Sequence, residues 1–191
     1  EGKEASNFVF FLEGGGLCVE PVDCASRGKT GLGSSSHWAS TRTDTNNVLS
    51  SNSTFNPFAN WSSVFVPYCS GDVYIGRQRH ANDWGQFFAG HLQLEAVVSS
   101  LINESGLGEA EQVLLSGGSA GGIGAFQNAD WLAGVLPRVD VRAHPQAGAY
   151  FTNRDLVMYP EFATLHSNAN FARLAAAYLW AWFGGSGSGK G

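Results

Sequence analysis

An apolar run passes into a glycine-rich turn at Gln112-Val113-Leu114-Leu115-Ser116-Gly117-Gly118-Ser119-Ala120-Gly121-Gly122. The run is apolar at Val113, Leu114 and Leu115 and is closed by glycines, which predicts a buried strand. The residues from Ala120 to Leu136 predict a helix. The pentapeptide ending at Gly121 matches G-x-S-x-G, in which a serine sits on a sharp turn between a strand and a helix. The sequence therefore predicts Ser119 as a nucleophile whose hydroxyl stands above a sheet, at a helix N-terminus.

Two other interpretations of these glycines compete with a nucleophile. One is a strand-to-helix turn whose glycines only allow close packing. The other is dinucleotide binding, which requires G-x-G-x-x-G. That pattern fails because Gln127 stands at the third glycine position counted from Gly122, and Gly14-Gly15-Gly16 is followed by Leu17, Cys18 and Val19. A predicted strand before the turn and a predicted helix after it favour the nucleophile.

A second glycine cluster follows the apolar run from Phe8 to Leu12, as Glu13-Gly14-Gly15-Gly16. In serine hydrolases built on a parallel sheet, an early loop of this kind donates a backbone N–H to the oxyanion. The predicted donors are Gly15 or Gly16, together with the N–H of Ala120, which follows the serine. An ordinary glycine turn is the alternative, but both clusters occur in the expected order.

Strand and helix patterns alternate along the rest of the chain. Further strands are predicted at Val64–Cys69 and Val139–Ala143, and further helices from Trp84 to about Asn103 and from Phe171 to Phe183. The polar stretch from Gly28 to Asn60 predicts a long surface loop. This alternation predicts an α/β fold of the α/β-hydrolase type, with a mostly parallel, doubly wound sheet and flanking helices. We expect one partial domain over residues 1–183, incomplete at its C-terminus, and a Gly/Ser-rich tail over residues 184–191.

A nucleophilic serine needs a histidine base and an acid, which in this fold follow the serine along the chain. His144 and His166 are the histidines after Ser119, and the acids available near them are Asp130, Asp140, Asp155 and Glu161. Neither histidine has a sequence context that recommends it as a base. We therefore expect the catalytic acid and histidine to lie beyond residue 191.

Composition excludes several classes of protein. The chain is 43% hydrophobic with a net charge of −5 and a pI of about 5.4, so it offers no basic surface for nucleic acid. No apolar run approaches the roughly 20 residues of a membrane span. No spacing indicates a metal site, and the proposed chemistry needs no cofactor. The three cysteines are Cys18, Cys24 and Cys69; the first two are close enough to pair, and the third then needs a partner outside the chain.

Three N-x-S/T sequons begin at Asn52, Asn60 and Asn103. Each is a candidate glycosylation site if the protein enters a secretory route. Together with the cysteines, they favour an extracellular or cell-wall location.

Taken together, these motifs resemble the pectin acetylesterase family of plants and its animal Notum branch, which comprises secreted carboxylesterases that remove a lipid acyl group from Wnt proteins. The resemblance covers roughly Phe8 to Leu136. The matching segments, in family order, are Leu12-Glu13-Gly14-Gly15-Gly16 with Cys18, Cys24-Ala25-Ser26-Arg27, Gly33-Ser34-Ser35, Val48-Leu49-Ser50, Asn56-Pro57, Asn60-Trp61, Val64-Phe65-Val66-Pro67-Tyr68-Cys69 and Leu114-Leu115-Ser116-Gly117-Gly118-Ser119-Ala120-Gly121-Gly122.

The resemblance implies ester hydrolysis through an acyl-enzyme on Ser119, with the oxyanion region at Gly16 and Ala120. It also implies that the catalytic Asp and His lie in a later portion of the family's sequence. Leu17 stands where the family usually has a tryptophan bordering the acyl site, which leaves the acyl preference open. The expected substrate is an O-acetyl ester on a pectin-like polysaccharide. The alternatives are an acylated protein, and a non-catalytic binding scaffold that lacks the base.

Overall fold

The computed structural model describes residues 7–43 and 47–148. Strands and helices alternate along this part of the chain, with short 3-10 helices in the connections. The order is β1 (Asn7–Leu12), α1 (Pro21–Arg27), β2 (Ser62–Val66), α2 (Gly90–Ser105), β3 (Gln112–Gly118), α3 (Ala120–Val135) and β4 (Asp140–Gln146).

The four strands form one parallel sheet in the order β2-β1-β3-β4. The two central strands are the apolar runs that the sequence singles out, since a strand buried on both faces needs apolar residues on both. Phe8, Phe10 and Leu12 of β1 point to one face, and Val9 points to the other. The sheet and its helices therefore confirm the predicted α/β class.

The two faces of the sheet are covered differently. Both long helices, α2 and α3, pack on the face that holds Phe8, Phe10 and Leu12, in the larger core cluster. On the opposite face, Val48, Leu49, Phe58 and Trp61 of the β1–β2 connection pack against Val9 and Leu114. The sequence predicts helices on both faces. Within the described residues, the second face is instead covered by a loop with short helical turns.

The strand order creates a switch point between β1 and β3. The connection that leaves β1 runs over one face of the sheet, whereas α3, which follows β3, packs on the other. Adjacent strands whose connections leave to opposite faces open a crevice at their carboxyl ends, and ligands bind there in open α/β sheets. Both glycine clusters lie at this crevice, because Leu12 pairs with Gly117 at the ends of the two strands.

Three of the predicted strands match the structure within a few residues, and the fourth ends early. The β2 strand stops at Val66, whereas the prediction extended it to Cys69. Pro67 explains the difference, because proline has no N–H to continue a strand's hydrogen bonding.

The predicted start of α2 at Trp84 is wrong, because the helix begins at Gly90. Asn82 is the reason: its side-chain Oδ1 accepts hydrogen bonds from the N–H groups of Trp84 at 3.0 Å and Gln86 at 2.9 Å. Such a turn competes with helix formation, so the apolar residues before Gly90 belong to a turn.

The helix α1 was not predicted. Pro21 occupies its first turn and Asp23 adds a negative charge there, both of which favour a helix start. Cys24 is buried within it and forms a disulfide with Cys18, the pairing that their spacing allowed. Cys69 is free among the described residues, so its predicted partner outside the chain stays a prediction.

The stretch predicted as a long loop contains the 3-10 helices Ser35–His37 and Asn47–Leu49, in line with a connection made of short turns. No helix in the described ranges combines the length and the apolar character that crossing a membrane requires. The predicted helix at 171–183, the tail at 184–191 and His166 lie outside the described residues.

Candidate active site

Ser119 forms the turn between β3 and α3, as the G-x-S-x-G pattern predicts. Its backbone has φ 53° and ψ −117°, in the positive-φ region that non-glycine residues rarely adopt. Strained conformations of this kind persist where the surrounding structure fixes them. Here the Ser119 N–H donates to the Gln146 carbonyl at 2.9 Å, and its own carbonyl accepts from the Ile123 N–H at 3.0 Å. The strain is thus held from both β4 and α3.

The first glycine cluster lies directly against this turn. A Cβ placed on Gly14 would be 2.4 Å from the Gly118 carbonyl oxygen and 3.3 Å from the Ser119 Cβ. Only a residue without a side chain allows the two loops to approach so closely. The structure therefore brings together the predicted nucleophile and the loop predicted to donate to its oxyanion.

The loop from Glu13 to Leu17, called the oxyanion loop below, is held in place by hydrogen bonds that its backbone carbonyl groups accept. The Tyr74 hydroxyl donates to the Glu13 carbonyl at 2.9 Å, and the Tyr68 hydroxyl donates to the Gly16 carbonyl at 3.0 Å. Arg27 Nη1 donates to the Gly15 carbonyl at 2.7 Å. By contrast, no described residue accepts a hydrogen bond from the N–H of Gly15 or Gly16.

The start of α3 supplies a second set of backbone N–H donors next to Ser119. The first N–H groups of a helix have no partner within the helix, and Ala120 is the first residue of α3. These groups carry the positive end of the helix dipole. The loop and the helix start together present backbone donors next to Ser119, which is what stabilising an oxyanion requires.

Tyr68 and Tyr74 are fully buried beneath the loop, and their rings stack with centroids 5.0 Å apart. Burial raises the pKa of both hydroxyls above the ordinary value for tyrosine. Their phenols therefore stay protonated and remain donors to the loop carbonyls. The Tyr68 backbone N–H also donates to Glu13 Oε2 at 2.9 Å, which anchors the first residue of the loop.

Asp72 organises the turn that carries the two tyrosines. Its carboxylate is buried and accepts hydrogen bonds from the backbone N–H groups of Tyr74 at 3.1 Å and Gly90 at 2.8 Å, and from the Ser70 hydroxyl. Burial raises its pKa, an effect that these hydrogen bonds oppose. Val73 and Tyr74 adopt positive φ values of 53° and 64° in this turn, so the Asp72 contacts hold a strained backbone in place.

The candidate bases are not brought to Ser119 in the described residues. His144 lies on β4, where its Nδ1 is 3.3 Å from Ser116 Oγ. Asp140 bonds to Arg142 at 2.7 Å, which lowers its pKa, and Asp130 lies on α3. His166, Asp155 and Glu161 lie outside the described residues. That the catalytic acid and histidine come beyond residue 191 stays a prediction.

An open groove of about 690 Å³ lies beside the end of β4. The β1–β2 connection supplies one wall, with the aromatic rings of Phe55 and Phe58, and β4 supplies His144 and Gln146. One lining residue, Gln146, also contacts the Ser119 turn, because its carbonyl accepts from the Ser119 N–H. Its mixed apolar and polar lining suits an organic substrate.

The remaining predicted site residues are placed as follows. Leu17 is half-buried and packs against the larger core, so its role at an acyl site stays a prediction. Asn52, Asn60 and Asn103 are exposed. Within residues 7–43 and 47–148, no three His, Cys, Asp or Glu side chains converge to hold a metal ion.

Sequence reasoning assigned no role to Arg27, Tyr68, Tyr74 or Asp72. Tyr68 and Tyr74 bind loop carbonyls 52 and 61 residues away along the chain. Arg27 binds the Gly15 carbonyl 12 residues away, and Asp72 holds its own turn and the Gly90 N–H. Asp72 and the tyrosines stand in the segment Tyr68–Tyr74, but no local pattern there indicates which backbone groups they bind. A buried tyrosine needs a partner for its hydroxyl, and that is the one signal that points to them.

The pectinacetylesterase family model matches residues 1–175 of the chain. Over 162 residues, the chain is 38% identical to the palmitoleoyl-protein carboxylesterase NOTUM of Mus musculus, covering 81% of this chain and 32% of the mouse protein. Over 155 residues, it is 34% identical to Pectin acetylesterase 5 of Arabidopsis thaliana, covering 80% of this chain and 36% of the plant protein. The chain thus spans about a third of the length of these curated relatives.

Solved structures lead to the same family. The crystal structure of the Wnt deacylase Notum from Drosophila aligns with a TM-score of 0.66 and 32% sequence identity, covering 73% of this chain and 43% of that one. This likeness confirms the predicted α/β-hydrolase-like fold, of which the chain holds the N-terminal part. The extent of the family match, with relatives on both the plant and the animal side, shows that the chain belongs to the pectinacetylesterase family.

Proposed function

We propose that this chain carries the nucleophile and the oxyanion donors of a serine carboxylesterase. The observation that carries the proposal is the strained Ser119 turn, which lies against a loop in which the Gly15 and Gly16 N–H groups have no acceptor among the described residues. A serine hydroxyl beside free backbone donors serves acyl transfer, because the developing oxyanion is stabilised where it forms.

The proposed reaction proceeds in two steps. The Ser119 Oγ attacks the ester carbonyl and passes its proton to a histidine, which then protonates the leaving alcohol. The acyl group stays on Ser119 until water, activated by the same histidine, releases it as the acid. The N–H groups of Gly15 or Gly16 and of Ala120 hold the carbonyl oxygen in both steps. We propose that the histidine and its acid lie beyond residue 191.

The substrate that we propose is an O-acetyl ester on a pectin-like polysaccharide. The matching family model and the Arabidopsis relative bear the names of pectin acetylesterases. The second candidate is an acylated protein, since the mouse and Drosophila relatives are named as a palmitoleoyl-protein carboxylesterase and a Wnt deacylase. The third is a binding scaffold without turnover, which would hold the same fold but lack a base.

A panel of esters given to the full-length protein separates these candidates. We expect p-nitrophenyl acetate to be turned over with a kcat/KM at least about tenfold above that of the octanoate, and acetate to be released from acetylated pectin. A reversed preference, with no acetate from pectin, would favour the acylated protein. A cooperative thermal transition would show that the preparation is folded. If such a preparation turned over no ester, the binding scaffold would be the remaining candidate.

We also propose that the protein is extracellular. The Cys18–Cys24 disulfide supports this, because disulfides persist in oxidising compartments. All three sequon asparagines are exposed. Asn52 Oδ1 accepts from the Thr54 N–H at 3.0 Å, so the amide oxygen of this sequon is the atom that bonds to the backbone.

Secreted protein from the natural host is expected to carry an N-linked glycan on Asn52. Treatment with an N-glycosidase should lower its mass, and Thr54→Ala should remove the part of that mass which the Asn52 glycan contributes. Ser53→Ala is the matched control, because it leaves the sequon intact and should keep the glycan. An unchanged mass after glycosidase treatment, or the absence of the protein from the medium, would contradict secretion by this route.

A further inference from the structure

Arg27 contacts the oxyanion loop at the peptide that joins Gly15 to Gly16. Its Nη1 donates to the Gly15 carbonyl at 2.7 Å, and its guanidinium lies over the Tyr68 ring, 5.5 Å from the centroid. The other terminal nitrogen, Nη2, is buried and bonds to no described residue. Arg27 is half-buried, yet one of its terminal nitrogens is withdrawn from water without a partner, which is unfavourable and calls for a compensating role.

Peptide geometry supplies that reason. A trans peptide is planar, so its C=O and its N–H point in opposite directions. Fixing the Gly15 carbonyl therefore fixes the direction of the Gly16 N–H. Gly16 has φ 74° and little around it, since a Cβ there would meet only Arg27 Nη1 at 3.9 Å. Leu32 and Tyr68 pack closely against the Gly15 side of this peptide, whereas on the Gly16 side Arg27 is the group in reach, so the orientation of the Gly16 N–H depends on Arg27.

The charge of Arg27 adds to the effect. A hydrogen bond from a guanidinium is stronger than one from a neutral donor. It polarises the peptide so that the N–H on the opposite side carries more positive charge, as in cooperative chains of hydrogen bonds. The Gly16 N–H becomes both oriented and strengthened as a donor.

The disulfide keeps Arg27 at this position. Cys18 lies two residues after Gly16, and its bond to Cys24 ties α1 to the end of the oxyanion loop. Arg27 follows Cys24 by three residues in α1, so the two side chains share one face of the helix. The disulfide therefore links α1, which carries Arg27, covalently to the segment that follows the oxyanion loop.

We propose that Arg27, presented by the disulfide-linked helix α1, is the positioning residue that sets the Gly16 N–H for the oxyanion. This inference rests on the proposed function, because it assigns Arg27 to the same site. Arg27 acts on the reaction only through the Gly15–Gly16 peptide.

Arg27→Ala in the full-length protein tests the proposal. We expect kcat per titrated active site to fall by about 10- to 100-fold, somewhat less than the loss of a whole oxyanion donor, while KM changes by less than about twofold. Millimolar guanidinium should restore part of the lost kcat in Arg27→Ala and none in Ser119→Ala. Lys29→Ala, which removes an exposed positive charge two residues away, should leave kcat unchanged.

A second measurement does not depend on turnover. Hydrogen exchange of the Gly15, Gly16 and Leu17 amides should be faster in Arg27→Ala than in the wild type or in Lys29→Ala. If the wild type hydrolyses no ester, the proposed function fails, while the exchange rates still decide whether Arg27 holds the loop. Unchanged exchange, or a kcat per site equal to that of Lys29→Ala, would overturn the inference.

The joint removal of Cys18 and Cys24 as serines tests the role of the link. If α1 acts through Arg27, the loss of the disulfide should lower kcat in the wild type but have little further effect in Arg27→Ala. If the losses in kcat from the two changes add fully in the combined variant, the disulfide acts independently of Arg27. That result would show that the disulfide has no part in positioning the Gly16 N–H.

Discussion

Ser119→Ala is expected to abolish ester hydrolysis in the full-length protein while its fold stays intact. In serine hydrolases with all other groups in place, loss of the nucleophile lowers kcat by about 10⁶-fold. The Ser119 side chain makes no capping hydrogen bond at the start of α3, so alanine removes no structural contact there. The turn keeps its backbone conformation, because alanine meets the same strain at φ 53° as serine does.

Activity and covalent labelling measure this effect together. The wild type should react with a fluorophosphonate at one serine, identified by mass spectrometry as Ser119, and Ser119→Ala should not react. Ser116→Ala is the matched control on the same strand: its hydroxyl bonds to the His144 carbonyl at 3.0 Å and has no place in the proposed chemistry. Labelling that persists in Ser119→Ala, or activity within tenfold of the wild type, would refute the assignment.

Gly121→Ala is expected to have the largest effect on stability. A Cβ on Gly121 would lie 2.0 Å from the Leu12 carbonyl oxygen and 2.6 Å from the Leu12 carbonyl carbon. These are backbone atoms of the central strand β1, so neither can move aside as a flexible side chain would. Overpacking of this kind lowers the free energy of unfolding by about 3 kcal/mol or more.

Gly134→Ala, in the same helix, provides a control of opposite sign. Nothing lies within 4 Å of a Cβ at Gly134, so alanine there adds helix propensity without a clash. We expect a gain of about 0.5–1 kcal/mol in the free energy of unfolding. Urea denaturation of the two variants and the wild type gives both values. A Gly121→Ala midpoint at or above that of the wild type would show that α3 does not approach β1 as described.

The parts of the fold that could be predicted from the sequence are those set by local pattern. The central strands β1 and β3 contain short apolar runs, and the Ser119 turn carries a recognisable pentapeptide, so their places follow from neighbouring residues. The α3 helix also matches its prediction, because its apolar residues extend to the residue before Pro137. Here, local preference and tertiary structure agree.

The start of α2 could not be predicted from apolar spacing alone. The aromatic residues before Gly90 continue a helical pattern, yet the Asn82 side chain binds the backbone and forms a turn. Hydrophobic periodicity does not register such competition between a side chain and the helix. By contrast, α1 carried the signals of a helix start in Pro21 and Asp23, but it is too short for periodicity to reveal.

The supports of the oxyanion loop depend on distant contacts. Tyr68 and Tyr74 bind carbonyls 52 and 61 residues away along the chain, at Gly16 and Glu13. Arg27 is nearer in sequence, yet its partner is a backbone carbonyl, which carries no residue-specific signal. The sequence identifies the groups that would face a substrate, whereas the groups that hold them depend on how the chain folds back on itself.

The switch point between β1 and β3 puts the candidate nucleophile and the wall of the groove on different connections of the chain. The Ser119 turn and α3 lie on one face, where contacts such as that of Gly121 with Leu12 leave little room for change. The β1–β2 connection crosses the other face and supplies a wall of the groove beside β4. Surface connections accept insertions and substitutions more readily than packed helices do. We therefore expect substitutions that change the groove wall to be tolerated in the connection more readily than substitutions in the Ser119 turn.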